Sequence, residues 1–230
     1  MKLFNLQQEL KKLGDSKQAK LLSGFFKTGK GEYGEGDIFL GIKVPVQRKV
    51  AKKYADLSLK DTKELLNSKI HEHRLVALFI LIEKYKKSEK KKEIVDIYLK
   101  NTKKINNWDL VDLSAPQILG DFLLDNNRAT LYKLAKSKNL WEKRISIVST
   151  WTFIRENQLD DTLKISEILL TDNHDLIHKA VGWMLREVGK KNQAIEEKFL
   201  KKHHKTMPRT MLRYAIEKFD ENKRKFYMKK

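Results

Sequence analysis

Apolar positions recur along the chain with helical spacing. Leu3, Leu6, Leu10 and Leu13 mark one amphipathic face, Leu75, Leu78, Phe79 and Ile82 a second, and Leu212, Ala215, Ile216 and Phe219 a third. Start signals sit where these faces need them. Pro45 and Pro208 suit the first turn of a helix, and Asn106-Asn107 can cap a helix beginning at Trp108. No run alternates β-branched and polar residues as a half-buried strand would. The pattern predicts an all-α fold.

A longer period is laid over the helical one. The segments Arg74-Leu75-Val76-Ala77, Asp109-Leu110-Val111-Asp112, Arg144-Ile145-Ser146-Ile147 and Lys179-Ala180-Val181-Gly182 begin 35 residues apart. Two helices per 35 residues is the signature of a helical solenoid, here one domain over residues 1–230, with second helices beginning near 71, 108, 143, 175 and 208. Arg74, Arg144 and Lys179 share a register and should project as a basic stripe on a concave face. The fourth slot holds Ala77, Ile147 and Gly182 in three repeats and Asp112 in the other. A carboxylate in a helix-packing slot costs stability unless it is paired or hydrated.

Charge narrows the function. The 230 residues carry 49 Lys+Arg against 30 Asp+Glu, a net +19, which favours a polyanionic partner such as nucleic acid or an anionic membrane surface. There is no cysteine, so disulfides, thiolate metal sites and a cysteine nucleophile are excluded. The start lacks the apolar run of a signal peptide, and the stretch from Leu75 to Ile82 is too short to span a bilayer. We expect a soluble, cytoplasmic, nucleoid-associated monomer. The glycine-rich stretch at 27–41 reads as a flexible linker that could touch DNA phosphate through Lys27 or Lys30. Its Gly29-x-Gly31-x-x-Gly34 imitates a dinucleotide fingerprint, but Ala19 to Phe26 before it reads as helix instead of strand. Gly31 also stands where a P-loop needs Ser or Thr. His174 and His178 share a helix face, but no acid at the right spacing completes a metal site. Neither a cofactor nor a metal is expected.

The candidate chemistry gathers at Trp108-Asp109-Leu110-Val111-Asp112, where Trp108 and Asp112 stand at i and i+4. Asp109 lies in the first helical turn, where a negative charge meets the positive end of the helix dipole. Pro116 has no N–H to donate to the carbonyl of residue 112 and should kink the helix there. Trp183 follows the small Gly182 in the fourth repeat, while Trp141 and Trp151 read as core.

The run Asn107-Trp108-Asp109-Leu110-Val111-Asp112-Leu113-Ser114-Ala115-Pro116 resembles the signature of AlkD-type DNA glycosylases, the HEAT-like-repeat family of DNA alkylation repair. So do the run from Ile177 to Glu187 and the group Phe39-Leu40-Gly41-Ile42 with Pro45 and Arg48. The resemblance covers about residues 20 to 220. It implies base excision of positively charged N3- and N7-alkylpurines from double-stranded DNA, with Asp112 as catalytic carboxylate and Trp108 and Trp183 as active-site tryptophans. It also implies Arg144 as a basic residue near the lesion. Arg74, Lys179, Arg48, Lys27 and Lys30 complete the expected DNA contacts. The glycine-rich loop looks longer than in some relatives, with Phe25, Phe26 and Tyr33 as candidate aromatic contacts. Some relatives lack the acid and bind DNA without excising bases, so a non-catalytic module for branched or distorted DNA is the alternative. The glycosylase reading expects Asp112 to face both indoles and to be free of an internal ion pair.

Overall fold

The computed structural model describes residues 1–229, and among these it contains fourteen α-helices and no strand, apart from an isolated parallel bridge between Ile38 and Ile70. The chain divides into two compact units, Met1–Leu110 and Val111–Lys230.

The first unit is organised around its longest helix. It contains α1 (Lys2–Lys12), α2 (Ser16–Phe25), α3 (Val44–Lys53), α4 (Leu59–Leu66), α5 (His71–Lys87) and α6 (Lys91–Lys100). The apolar run from Leu75 to Ile82 buries every side chain, so α5 is covered on all sides, and α1, α3, α4 and α6 pack against it. Asp15 and Ser58 cap α2 and α4 by accepting backbone N–H groups, and Pro45 lies in the first turn of α3. Leu6 and Leu10 are fully buried, whereas Leu13 lies beyond the end of α1 and is exposed.

The glycine-rich segment is a tied-down loop instead of a slack linker. The Glu72 carboxylate accepts backbone N–H groups from Leu40 (2.9 Å), Gly41 (2.8 Å) and Ile42 (3.2 Å). Gly41 has φ +85°, a conformation open to glycine at little cost. The helix before the loop is α2, so neither nucleotide-binding motif has its required setting.

The unit boundary falls inside α7 (Trp108–Asp112). Asn107 Oδ1 accepts the Trp108 N–H at 2.8 Å, and the helix stops after five residues. The chain resumes as a π-helical turn, Pro116–Gly120. Proline's missing donor explains the interruption.

The second unit contains α8 (Ala129–Ala135), α9 (Leu140–Arg155), α10 (Asp160–Leu169), α11 (Asp175–Lys191), α12 (Gln193–His203), α13 (Arg209–Ala215) and α14 (Glu221–Met228). Here α8 and α10 lie on α9, α10 and α12 lie on α11, and the second helices follow one another, α9 on α11 and α11 on α13. This is repeat stacking within the unit. Gly182 permits the α11–α13 approach, because a Cβ there would sit 2.5 Å from Tyr214 Cβ. The second helices begin at residues 71, 108, 140, 175 and 209. No described helix is long and apolar enough to cross a membrane.

Candidate active site

Trp108 opens α7 in the first unit, half-buried and stacked on Phe26 (ring centroids 5.1 Å, interplanar angle 18°), with the exposed Phe25 edge-on at 5.9 Å. Phe26 continues the column onto Phe39 and His71. Two of the three aromatic candidates near the loop therefore touch the tryptophan directly.

Asp109 is more than a dipole partner. It is 6% exposed, its Oδ1 accepts the Leu110 N–H, and its Oδ2 lies 2.8 Å from His71 Nε2. The other His71 nitrogen meets Asp37 at 3.2 Å, and Arg74 reaches the same Asp37 oxygen at 2.5 Å. Burial pushes the Asp37 carboxyl up, but hydrogen bonds and charge from His71 and Arg74 outweigh it and hold it below the usual range. The sequence patterns did not reveal this cluster. His71 and Asp37 lie 34 residues apart, in a helix and in a loop that read as slack.

In the second unit, Asp112 is gripped by Arg144. Nε donates to Oδ1 at 2.9 Å and Nη2 to Oδ2 at 2.8 Å, a two-pronged ion pair, and Nη1 donates to the Leu176 carbonyl at 2.6 Å. The Arg144 side chain is 6% exposed and that of Asp112 is 16% exposed. This corrects the expectation of a carboxylate free of internal pairing. A signal was available: Arg144 is the first slot of the repeat after Asp112, three residues before the slot equivalent to Asp112 and on the same helix face.

The projecting basic stripe also needs correction. Arg74 is buried, bound to Asp37 and to the Ser68 carbonyl, and Arg144 is buried as described. Lys179 keeps a partly exposed side chain and pairs with Asp175 one turn earlier. Two of the three members are spent on internal charge because their second helices bury that face. Arg48 lies over the Phe79 ring, 4.2 Å from its centroid, and Lys27 and Lys30 are exposed on the loop.

Trp183 is half-buried and tilted against Trp151, with ring centroids 6.4 Å apart. Trp141 is core, but Trp151 is only half-buried, with Arg155 over its ring. His174 caps α11 by accepting the Leu176 N–H, and His178 meets the Asp172 carbonyl, so both have structural partners.

What the arrangement offers chemically is a held carboxylate at the end of a one-turn helix that begins with an indole. The chain's profile matches the DNA alkylation repair enzyme family over residues 6–219. No curated protein matches significantly. Among solved structures, the fold is similar to a predicted DNA alkylation repair enzyme from Enterococcus faecalis, with a TM-score of 0.72 and 17% identity, over 90% of this chain and 97% of that one. The family match spans nearly the whole sequence, and the chain belongs to the DNA alkylation repair enzyme family.

Proposed function

We propose that this protein is a DNA glycosylase that removes cationic N3- and N7-alkylated purines from duplex DNA, the first step of base excision repair. Family membership supports the repair role, and the observation that carries the chemistry is the partly exposed Asp112 carboxylate, oriented by Arg144. A glycosidase ordinarily needs two carboxylates, one as acid and one to handle the sugar. An alkylpurine that already carries positive charge leaves without a general acid. One carboxylate can then stabilise the oxocarbenium-like sugar while water attacks, and the Trp108 and Trp183 faces supply cation–π attraction.

The ion pair changes the magnitude. A carboxylate 4 Å from the cationic sugar contributes roughly 4 kcal/mol at an effective dielectric near 20, about a thousandfold in rate. A guanidinium roughly 7 Å from the same centre opposes it by about 2.4 kcal/mol, leaving about 1.8 kcal/mol, or roughly twentyfold. If DNA phosphate draws Arg144 away from Asp112, the full effect returns. The same pairing favours a second reading, a non-catalytic module for distorted DNA in which Asp112 is structural.

The test is release of free base from N7-methylguanine duplex DNA. Wild type is expected to release it, and Asp112→Asn to be slower by about a thousandfold, because Arg144 remains in the mutant. Replacing both members of the pair should cost about twentyfold if the pair persists in the wild type and about a thousandfold if it opens. DNA affinity should change less than about threefold. A mutant within twofold of wild type would refute the role of Asp112, and an inert wild type would favour the non-catalytic module.

A further inference from the structure

His71 is 1% exposed, and both of its ring nitrogens face carboxylate oxygens: Nδ1 lies 3.2 Å from Asp37 Oδ2 and Nε2 2.8 Å from Asp109 Oδ2. A neutral imidazole has a single N–H, so it would turn a lone pair towards one of these oxygens; only the imidazolium donates to both. The charge count agrees. Arg74 pairs with Asp37, Asp109 meets His71, and without a proton on His71 the two carboxylates and one guanidinium of this buried cluster leave an uncompensated negative charge, which is costly at this depth.

The same ring ends an aromatic column. His71 stacks on Phe39 (4.5 Å, 20°), Phe39 on Phe26 (5.1 Å, 17°), and Phe26 on Trp108 (5.1 Å, 18°). Asp37 and Phe39 belong to the glycine-rich loop, and Asp109 is the residue after Trp108. One imidazole therefore joins the loop to the first turn of α7 by charge and supports the indole by stacking.

We propose that His71, held as an imidazolium between Asp37 and Asp109, is a positioning residue that fixes Trp108 for the reaction by tying the glycine-rich loop to the first turn of α7. This rests on the reading of Trp108 as an active-site aromatic, and it gives the loop a purpose that DNA contact alone does not.

The groups facing the imidazole are Asp37 from the loop, Asp109 from α7 and Arg74 from α5, with the uncharged rings of Phe26 and Phe39 beside them. Burial pushes the His71 pKa down, but the charge and hydrogen bond of Asp109, followed by the Asp37 hydrogen bond, outweigh burial and Arg74 and raise it overall. A raised value means the clamp is intact below the ordinary histidine range and is lost as pH rises through the folded-state value.

The experiment combines three readouts on the full chain. Nitrogen chemical shifts of labelled histidine should show His71 as imidazolium at pH 7. Tryptophan emission, with Trp108→Phe subtracted, should shift on the alkaline side at the pH where His71 titrates. Single-turnover base release from methylated duplex DNA should fall in step with that shift. His71→Gln is expected to reproduce the shifted emission at neutral pH and to slow release at least tenfold, with DNA affinity changed less than threefold. Asp109→Asn removes one carboxylate and should move the alkaline limb to lower pH, which keeps the proposal testable if the histidine variant does not fold. A neutral His71 at pH 7, an indole signal unmoved while His71 titrates, or an unchanged limb in Asp109→Asn would each overturn it. Trp108→Ala that keeps base release would overturn the active-site reading of Trp108 and with it the purpose of the clamp. Trp108→Ala that loses release beside a His71→Gln that keeps it would overturn this inference alone.

Discussion

Replacing Glu196 by glutamine should stabilise the protein at neutral and alkaline pH and change little in acid. Glu196 lies on α12, 1% exposed, with its Oε2 against Gly189 of α11 and no hydrogen-bond partner for its Oε1. Burial, reinforced by the charge of Glu197 and offset in part by Arg186, pushes its pKa from 4.5 to about 8. The folded chain therefore holds this proton more tightly than the unfolded chain. The favourable contribution is complete below about pH 4.5 and is lost as pH rises towards 8. A shift from 4.5 to about 8 corresponds to about 5 kcal/mol across the whole window, of which roughly 3 kcal/mol is gone by pH 7. Glutamine has nearly the same shape and cannot ionise, so wild type minus mutant isolates this carboxyl from every other titrating group. Because the chain divides into two compact units, a single melting temperature need not report one transition. Amide exchange of α11 and α12 at pH 5, 6, 7 and 8 reads the effect where it arises. Wild type and Glu196→Gln should differ by less than about 1 kcal/mol in the protection of these helices at pH 5 and diverge steadily above it. Parallel profiles over the whole range would refute the placement of a protonated carboxyl in this interior.

Gly182→Ala should force α11 and α13 apart, since the new Cβ would lie 2.5 Å from Tyr214 Cβ; a cost of about 1–3 kcal/mol and an altered near-ultraviolet signal from neighbouring Trp183 are expected, measured by urea unfolding and circular dichroism. Arg74→Met should destabilise the first unit by about 3–5 kcal/mol, because it removes one partner of a buried pair, whereas Lys179→Ala should leave stability within about 0.5 kcal/mol. In DNA binding, Lys179→Ala should reduce the salt slope by about 1 if that side chain meets a phosphate. The double variant Asp112→Leu with Arg144→Met replaces an ion pair by apolar side chains and should retain stability within about 2 kcal/mol while slowing base release by about twentyfold or more. Retained release would refute the assignment of Asp112.

Much of the architecture was legible in the sequence because its causes are local. Apolar spacing, Pro45 and Asn107 act within one turn, and the second helices at residues 71, 108 and 175 begin where those signals put them. The start at 140 instead of 143 follows Asn139, whose side chain accepts the Trp141 N–H, a cap the repeat register did not single out. The site was less legible, because its ties cross between repeats. Arg144 and Arg74 share a register with Lys179, yet register does not say whether a face meets solvent or a neighbouring helix. The loop failed for a related reason. Glycine content indicates permitted backbone conformations, and only the carboxylates of Asp37 and Glu72, which respectively bind or come from the start of α5, say that one conformation is held.

Asp112 shows how these limits bear on function. A carboxylate where sister repeats carry Ala77, Ile147 and Gly182 requires an explanation. The structure supplies a structural one. Arg144 joins the end of α7, its own helix α9 and the Leu176 carbonyl at the start of α11, so the pair ties three helices together. The odd residue in the slot therefore no longer argues for catalysis by itself, and that argument passes to family membership and to the exposure left on the carboxylate. The two roles are compatible. A group held by two charge-assisted hydrogen bonds loses little entropy when it meets a transition state, which offsets part of the field that the guanidinium cancels. Whether the guanidinium stays or moves to a phosphate decides between roughly twentyfold and a thousandfold for loss of the whole pair, a gap wide enough for the rate of the Asp112→Leu with Arg144→Met variant to settle it.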